Sequence, residues 1–138
     1  AQKASVAHIL LAGSTNHMHT HMDNAIIITN YKDGTSDTLH LIPPFNYCPI
    51  EQDFYVDGKA FQTVEPRPVR ICLATGTVSR NLGTALSINS DEVYGREIPG
   101  GAAQLLSMPL SPSKKLHSFT LIPLSNDIVV GIMGITLR

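Results

Sequence analysis

Ile26–Leu41, IIITNYKDGTSDTLHL, is the stretch whose reading decides the fold. Two runs rich in β-branched and apolar residues flank Lys32-Asp33-Gly34, and Gly34 can take the positive φ that a tight reversal needs because it has no Cβ to clash. In the second run Leu39 and Leu41 fall on one side and Thr38 and His40 on the other, the period-two pattern of a strand with one wet face. Leu110–Leu137, LSPSKKLHSFTLIPLSNDIVVGIMGITL, repeats the plan, with Ser125-Asn126-Asp127 supplying turn-forming side-chain oxygens. A sheet of antiparallel hairpins is the expectation.

Further strands are expected over Val6–Leu11, Ala25–Tyr31, Ser36–Ile42, Val69–Thr75, Ala103–Met108, Lys115–Ile122 and Ile128–Leu137. Val69, Ile71 and Leu73 share one face of theirs. Thr77–Ile88 reads as a strand pair or a short irregular stretch, broken at Leu82-Gly83, and Asn89–Gly101 as a polar surface loop. The last strand is apolar on both faces, which places it centrally between two layers. No window sustains a 3.6-residue period with caps. Seven or eight short strands separated by turn signals indicate an all-β antiparallel β-sandwich or jelly roll.

The 138 residues suit a single domain over 1–138, long enough to bury roughly two-thirds of its unfolded surface. Hydrophobic residues make up 43% and charged residues 15%, so a packed core is within reach. A formal net charge of -1, with scattered Lys and Arg, argues against nucleic acid as a partner. No apolar run approaches the ~20 residues of a membrane span. The chain begins Ala1-Gln2-Lys3 without Met, and the expectation is a domain cut or processed from a longer protein, at its C-terminal end. The two cysteines read as free thiols, Cys72 buried in a strand and Cys48 partly exposed in a loop.

Between Pro43 and Pro68 the chain is irregular, with five prolines and five of the eight Phe and Tyr residues (Phe45, Tyr47, Phe54, Tyr55 and Phe61). Connections this long in compact domains are usually functional or cover a sheet end. Tyr47 and Tyr55, with Glu51 and Asp53, combine flat apolar faces for sugar C–H surfaces with acceptors for hydroxyls. The competing reading has Phe45, Phe54 and Tyr55 plugging the end of the sandwich. Glu51 and Asp53 are also a carboxylate pair, but side chains two apart on a loop do not readily oppose each other across a glycosidic bond. Arg80, Tyr94 and Arg96, in SRNLG and VYGREIPGG, form a further polar candidate for sugar contact, or else pin two loops through an Arg–Glu pair.

His17, His19 and His21 alternate in NHMHTHMD ahead of Asp23. An extended chain would project all of them to one side at ~6.5 Å intervals. Neighbouring imidazoles could then share Zn²⁺, whereas three in a row would need a bend. The plainer alternative is a solvated strand edge with Met18 and Met22 turned to the core. No phosphate-cradling loop, nucleophile elbow or cysteine–histidine motif is present, and no cofactor is expected.

The DGT hairpin and the closing run KKLHSFTLIPLSNDIVVGIMGITL resemble galactose-binding-like β-sandwich domains. More narrowly, HMDNAIIITNYKDGTSDTLHLIPPFNYCPIEQDFYVDGKAF, VSRNLGTALSI and VYGREIPGGAAQLLSMPL look like the C-terminal region of large secreted proteins of gut Bacteroidetes. Those proteins are themselves similar to glycoside hydrolases with a helical-toroid catalytic domain. The resemblance runs from about Ala7 to Leu137. It implies a non-catalytic accessory domain in the periplasm or at the cell surface, packed on an upstream catalytic domain and able to contact glycan through Tyr47, Tyr55 and Tyr94. Two alternatives stand beside it: a purely structural interdomain brace without ligand, and a metal-dependent enzyme using His17, His19 and His21.

Overall fold

A computed structural model describes residues 2–16, 19–53, 67–88 and 97–138. Its strands are β1 (Val6–Ser14), β2 (Ala25–Tyr31), β3 (Ser36–Leu41), β4 (Val69–Cys72), β5 (Val78–Ser79), β6 (Ala102–Pro109), β7 (Leu116–Pro123) and β8 (Val129–Leu137), with one helical turn, α1 (Leu82–Ala85), after β5. They form two antiparallel sheets, a five-stranded one in the order β5-β4-β6-β1-β8 and a three-stranded one in the order β3-β2-β7. The chain is an all-β sandwich.

The hairpin forms as its sequence demands. Ala25 pairs with Leu41 and Asn30 with Ser36. The turn is closed by the Tyr31 N–H on the Thr35 carbonyl at 3.0 Å, and Gly34 sits at φ 87°. Asp33 Oδ1 accepts from the Thr35 N–H at 2.9 Å and the Thr35 hydroxyl at 2.6 Å, which fixes the turn from within. Along β2 burial alternates, so Ala25, Ile27, Thr29 and Tyr31 face inward. Ala25 and Ile27 meet Ala7, Ile9 and Leu11 of β1 and Leu106 and Met108 of β6 in the main core, and the Thr29 hydroxyl reaches the Met108 sulfur at 3.4 Å.

The second sequence stretch departs from its reading. β7 pairs with β2 in the small sheet, whereas β8 pairs with β1 in the large one. Residues 124–128 would form a hairpin loop only if those two strands were neighbours; they instead carry the chain from one sheet to the other. Nor is β8 central: it is an edge strand. Its apolar residues on both faces have a different cause. Leu10 pairs with Gly134 and Leu11 with Ile132, so Met133 is an extra residue that resets the alternation. Val130, Ile132, Ile135 and Leu137 therefore pack on the core while Val129 and Met133 are 69% and 54% exposed.

The large sheet is wider than the small one, and its β4–β6 side is covered by loop residues and α1. Cys72, Leu82, Ile98 and Ala102 make a second, smaller core there. Thr77–Ile88 resolves into the two-residue β5 and α1, whose first turn is capped by Asn81 accepting from the Thr84 N–H at 3.1 Å. Both cysteines are free, and Cys48 is buried rather than partly exposed.

Candidate functional site

Strand pairing gathers three loops at one end of the sandwich. Ser14 of β1 lies beside Val129 of β8, and Ala25 of β2 lies between Leu41 of β3 and Pro123 of β7. The β1–β2 loop, the residues after β3 and the β7–β8 connection therefore converge. Asn24, fully buried, organises them. Its side-chain amide donates to the carbonyls of His19 and Met22, each at 2.9 Å, and its oxygen accepts from the Thr15 hydroxyl. Its backbone N–H reaches the Leu41 carbonyl at 2.8 Å, and its carbonyl accepts from the Leu124 N–H at 2.9 Å.

His19 and His21 do not form the one-sided array that an extended chain would give. The segment turns: His21 takes a left-handed φ of 63°, which is uncommon for a residue with a Cβ. His19 Nε2 faces both oxygens of Asp127, at 2.9 and 3.0 Å, while the His21 ring lies 5.2 Å from the Phe45 ring. Met22 is exposed, not core-facing. His17 and Met18 lie outside the described residues. Among the described residues no three His, Cys, Asp or Glu side chains converge as a metal site would require. Asp127 also accepts from Ser125 and Asn16. The Ser125 hydrogen bond, and after it His19, hold the Asp127 carboxyl down at about 2. A second pair, His40 Nδ1 with Asp23 Oδ2 at 2.9 Å, is exposed on the same end.

The loop after β3 divides into a buried and an exposed part. Tyr47 is buried: its hydroxyl donates to the Ser14 carbonyl at 3.1 Å, and its ring joins the main core. A Cβ on Gly13 would stand 2.2 Å from that hydroxyl and 2.4 Å from the Val129 carbonyl, so the pairing of Tyr47 with this strand requires glycine at 13. Asp53 is buried too, accepting from the Gly83 N–H at 2.7 Å. As sugar contacts both are corrected, since neither offers a surface to a ligand. Glu51 is exposed, and its carbonyl accepts from the Ile98 N–H at 2.7 Å. Arg80 is exposed and donates to the Arg67 carbonyl. Tyr55, Tyr94 and Arg96 lie outside the described residues. Among the described residues the exposed Phe or Tyr is Phe45, at 37% beside His21 and close in sequence to the Pro43–Pro44 cis bond.

The buried polar centre was not singled out from sequence. Arg70 is fully buried on the inward face of β4. It donates to the carbonyls of Gln52 at 2.8 Å, Ala102 at 3.2 Å, Ala103 at 3.3 Å and Pro49 at 3.4 Å. Gln104, its cross-strand neighbour, accepts from the Cys48 N–H at 2.9 Å and donates to the Asn46 carbonyl. Together they rivet the loop after β3 onto the large sheet. Burial pushes the Cys48 thiol up to about 11; Arg70 opposes the shift, and Asp53 and Glu51 add to it. Such a thiol is a packing group, not a nucleophile. The one sequence signal was an arginine in an otherwise apolar Val-Arg-Ile-Cys run.

The opposite face of the large sheet is the reverse. Val69 pairs with Leu105, Leu105 with Leu10, and Ile71 with Val78, so these five side chains form an apolar band across four strands. None belongs to either buried core; Val78 is 60% exposed, and Leu10, Val69, Ile71 and Leu105 are half-buried. His8 and Ser107, hydrogen-bonded at 3.0 Å, border the band on one side.

Comparison with protein-family models, with curated proteins and with solved structures gives no match. Among the described residues no helix is long and apolar enough to cross a membrane.

Proposed function

We propose that this chain is a non-catalytic accessory module of a secreted carbohydrate-processing polypeptide, docked on a neighbouring catalytic domain through the outer face of its five-stranded sheet. The observation that carries the reading is the apolar band of Val69, Ile71, Val78, Leu10 and Leu105, which neither core absorbs. Contiguous apolar surface of this kind marks an interaction site on a folded domain. Three buried groups beneath the loop after β3 are meanwhile committed to structure: Asp53 to a backbone N–H, Arg70 to four carbonyls, and Cys48 to a protonated, buried state. Galactose-binding-like topology and a periplasmic or cell-surface location belong to the same proposal and rest on the sequence resemblance. Val78→Asp in the full-length polypeptide is the test. Limited proteolysis should release the module several-fold faster than from wild type. Unchanged release contradicts docking through this face.

A second reading, glycan contact, is favoured by one observation: the exposed Phe45 ring with His21 at its side and the Asp23–His40 pair on the same end of the sandwich. It moves the stacking role from Tyr47 to Phe45. Affinity electrophoresis through polysaccharide gels, wild type against Phe45→Ala, decides it. Equal mobility of the two proteins on every glycan removes the reading and leaves the module a brace.

A further inference from the structure

We infer that the β8 edge pairs with β8 of a second copy, antiparallel, to make a two-fold dimer with one continuous ten-stranded sheet. Arg138 and Val6 bond each other reciprocally, N–H to carbonyl at 3.0 and 3.2 Å. In an antiparallel ladder alternate residues point their backbone groups to opposite sides. Thr136 and Gly134 thus turn theirs toward β1, and Leu137 and Ile135 turn theirs to the open edge. Those groups can hydrogen-bond another strand.

Native sheets blunt such edges with short strands, charge or proline. The other edges follow that rule. β5 has two residues, β3 carries Asp37, Thr38 and His40, and β7 ends in Pro123. β8 has nine residues, Val-Val-Gly-Ile-Met-Gly-Ile-Thr-Leu, without charge or proline, and its one bulge, at Met133, leaves Gly134–Leu137 in unbroken register. Added Cβ atoms at Gly131 and Gly134 would meet nothing within 4 Å, so the sheet face beside this edge is uncovered there and leaves room for a partner's side chains.

Charge selects a second copy, and the antiparallel sense. Asp127, half-exposed while its oxygens hold Ser125, Asn16 and His19, stands just before β8, and exposed Arg138 stands just after it. Antiparallel pairing of two copies sets each Asp127 beside the partner's Arg138, whereas parallel pairing would oppose like charges at both ends. The area is adequate. A nine-residue strand is ~30 Å long, and the two layers, ~10 Å apart, present a side ~20 Å deep made of β8 and β7, so ~600 Å² per copy and ~1,200 Å² in total, the lower end of stable interfaces. Exposed Val129, Met133 and Ile122 border it.

Sedimentation equilibrium of this chain over about 10 to 500 µM tests the inference, since association follows mass action. Wild type should show a monomer–dimer equilibrium. Met133→Lys, which sets like charges on the shared edge, should weaken it at least tenfold, with circular dichroism unchanged. Arg138→Glu and Asp127→Lys should each weaken it, and the double swap should recover most of the loss. Wild type that stays monomeric throughout overturns the inference. So does a dimer indifferent to Met133→Lys, or a double swap no stronger than the single variants. Because Val78 lies on β5 at the far edge of the sheet, Val78→Asp should leave this dimer intact, which separates its failure from failure of the docking face.

Discussion

Replacing Arg70 with methionine keeps most of the side-chain volume but removes every donor to the carbonyls of Gln52, Pro49, Ala102 and Ala103. Hydrogen bonds from a charged group contribute about 1.5–3 kcal/mol each. The gross sum is offset by the cost of holding a guanidinium out of water, which methionine does not incur. Carbonyls also carry a second lone pair, so those within the β4–β6 ladder are only partly orphaned. The Pro49 carbonyl keeps the Gln52 N–H at 3.1 Å, so the loss that survives comes mainly from the Gln52 carbonyl, left with only the weak Cys48 thiol donor at 3.3 Å, and comes to about 2–3 kcal/mol. Arg70→Ala, which also opens a void, should cost more, about 3–5 kcal/mol. Arg70→Lys should fall between wild type and methionine, because one compact ammonium cannot span four acceptors. Urea denaturation followed by circular dichroism reads the differences, with m-values checked for constancy. Arg70→Met within about 1 kcal/mol of wild type would falsify the claim that this residue rivets the loop to the sheet.

Gly13→Ala should destabilise the chain by more than about 2 kcal/mol, since a Cβ meets the Tyr47 hydroxyl and the Val129 backbone; Tyr47→Phe, which loses one hydrogen bond, should cost only about 1 kcal/mol. Thermal melts of the two variants check the order, and equal losses refute it. The Asp127 carboxyl titrates in the folded chain at about 2, below its usual ~3.9, so its contribution is fully present above pH ~4 and is lost as pH falls toward 2. Carbon-detected NMR should place its midpoint near 2 and move it upward in Ser125→Ala; an unchanged midpoint in that variant contradicts the assigned cause. At pH ~8 the Cys48 thiol remains protonated, so aromatic disulfide reagents should label it only as the loop opens. Labelling of Cys48 in a native Cys72→Ser chain at the rate of free cysteine is the contrary result.

The hairpin over Ile26–Leu41 was legible because its determinants are local: a glycine at a positive φ, an aspartate bonding two residues on, and strict alternation. Composition misled for β8, where the extra residue at Met133 makes a half-exposed edge strand look apolar on both faces. Alternation placed Val69 and Ile71 opposite Arg70 and Cys72, but it carries no information on which face is covered. The carbonyls that accept Arg70 come from residues 49 and 52 and from β6, all distant in the chain. The histidine segment failed for a related reason. A left-handed residue is ordinarily announced by Gly or Asn, and His21 is held there by its N–H on the Pro43 carbonyl at 2.8 Å, a contact across two loops. Tyr47 was a fair sugar candidate by type, and Gly13, far earlier in the chain, is what admits it to the core.

Hydroxyl-radical footprinting reads side-chain access directly, and so bears hardest on the docking face. If the chain is docked in a longer polypeptide as proposed, Val78 and Leu105 should be several-fold protected there relative to residues 1–138 alone, with labelling of Met22 at the loop end unchanged. Equal labelling of Val78 and Leu105 in the two samples would contradict it.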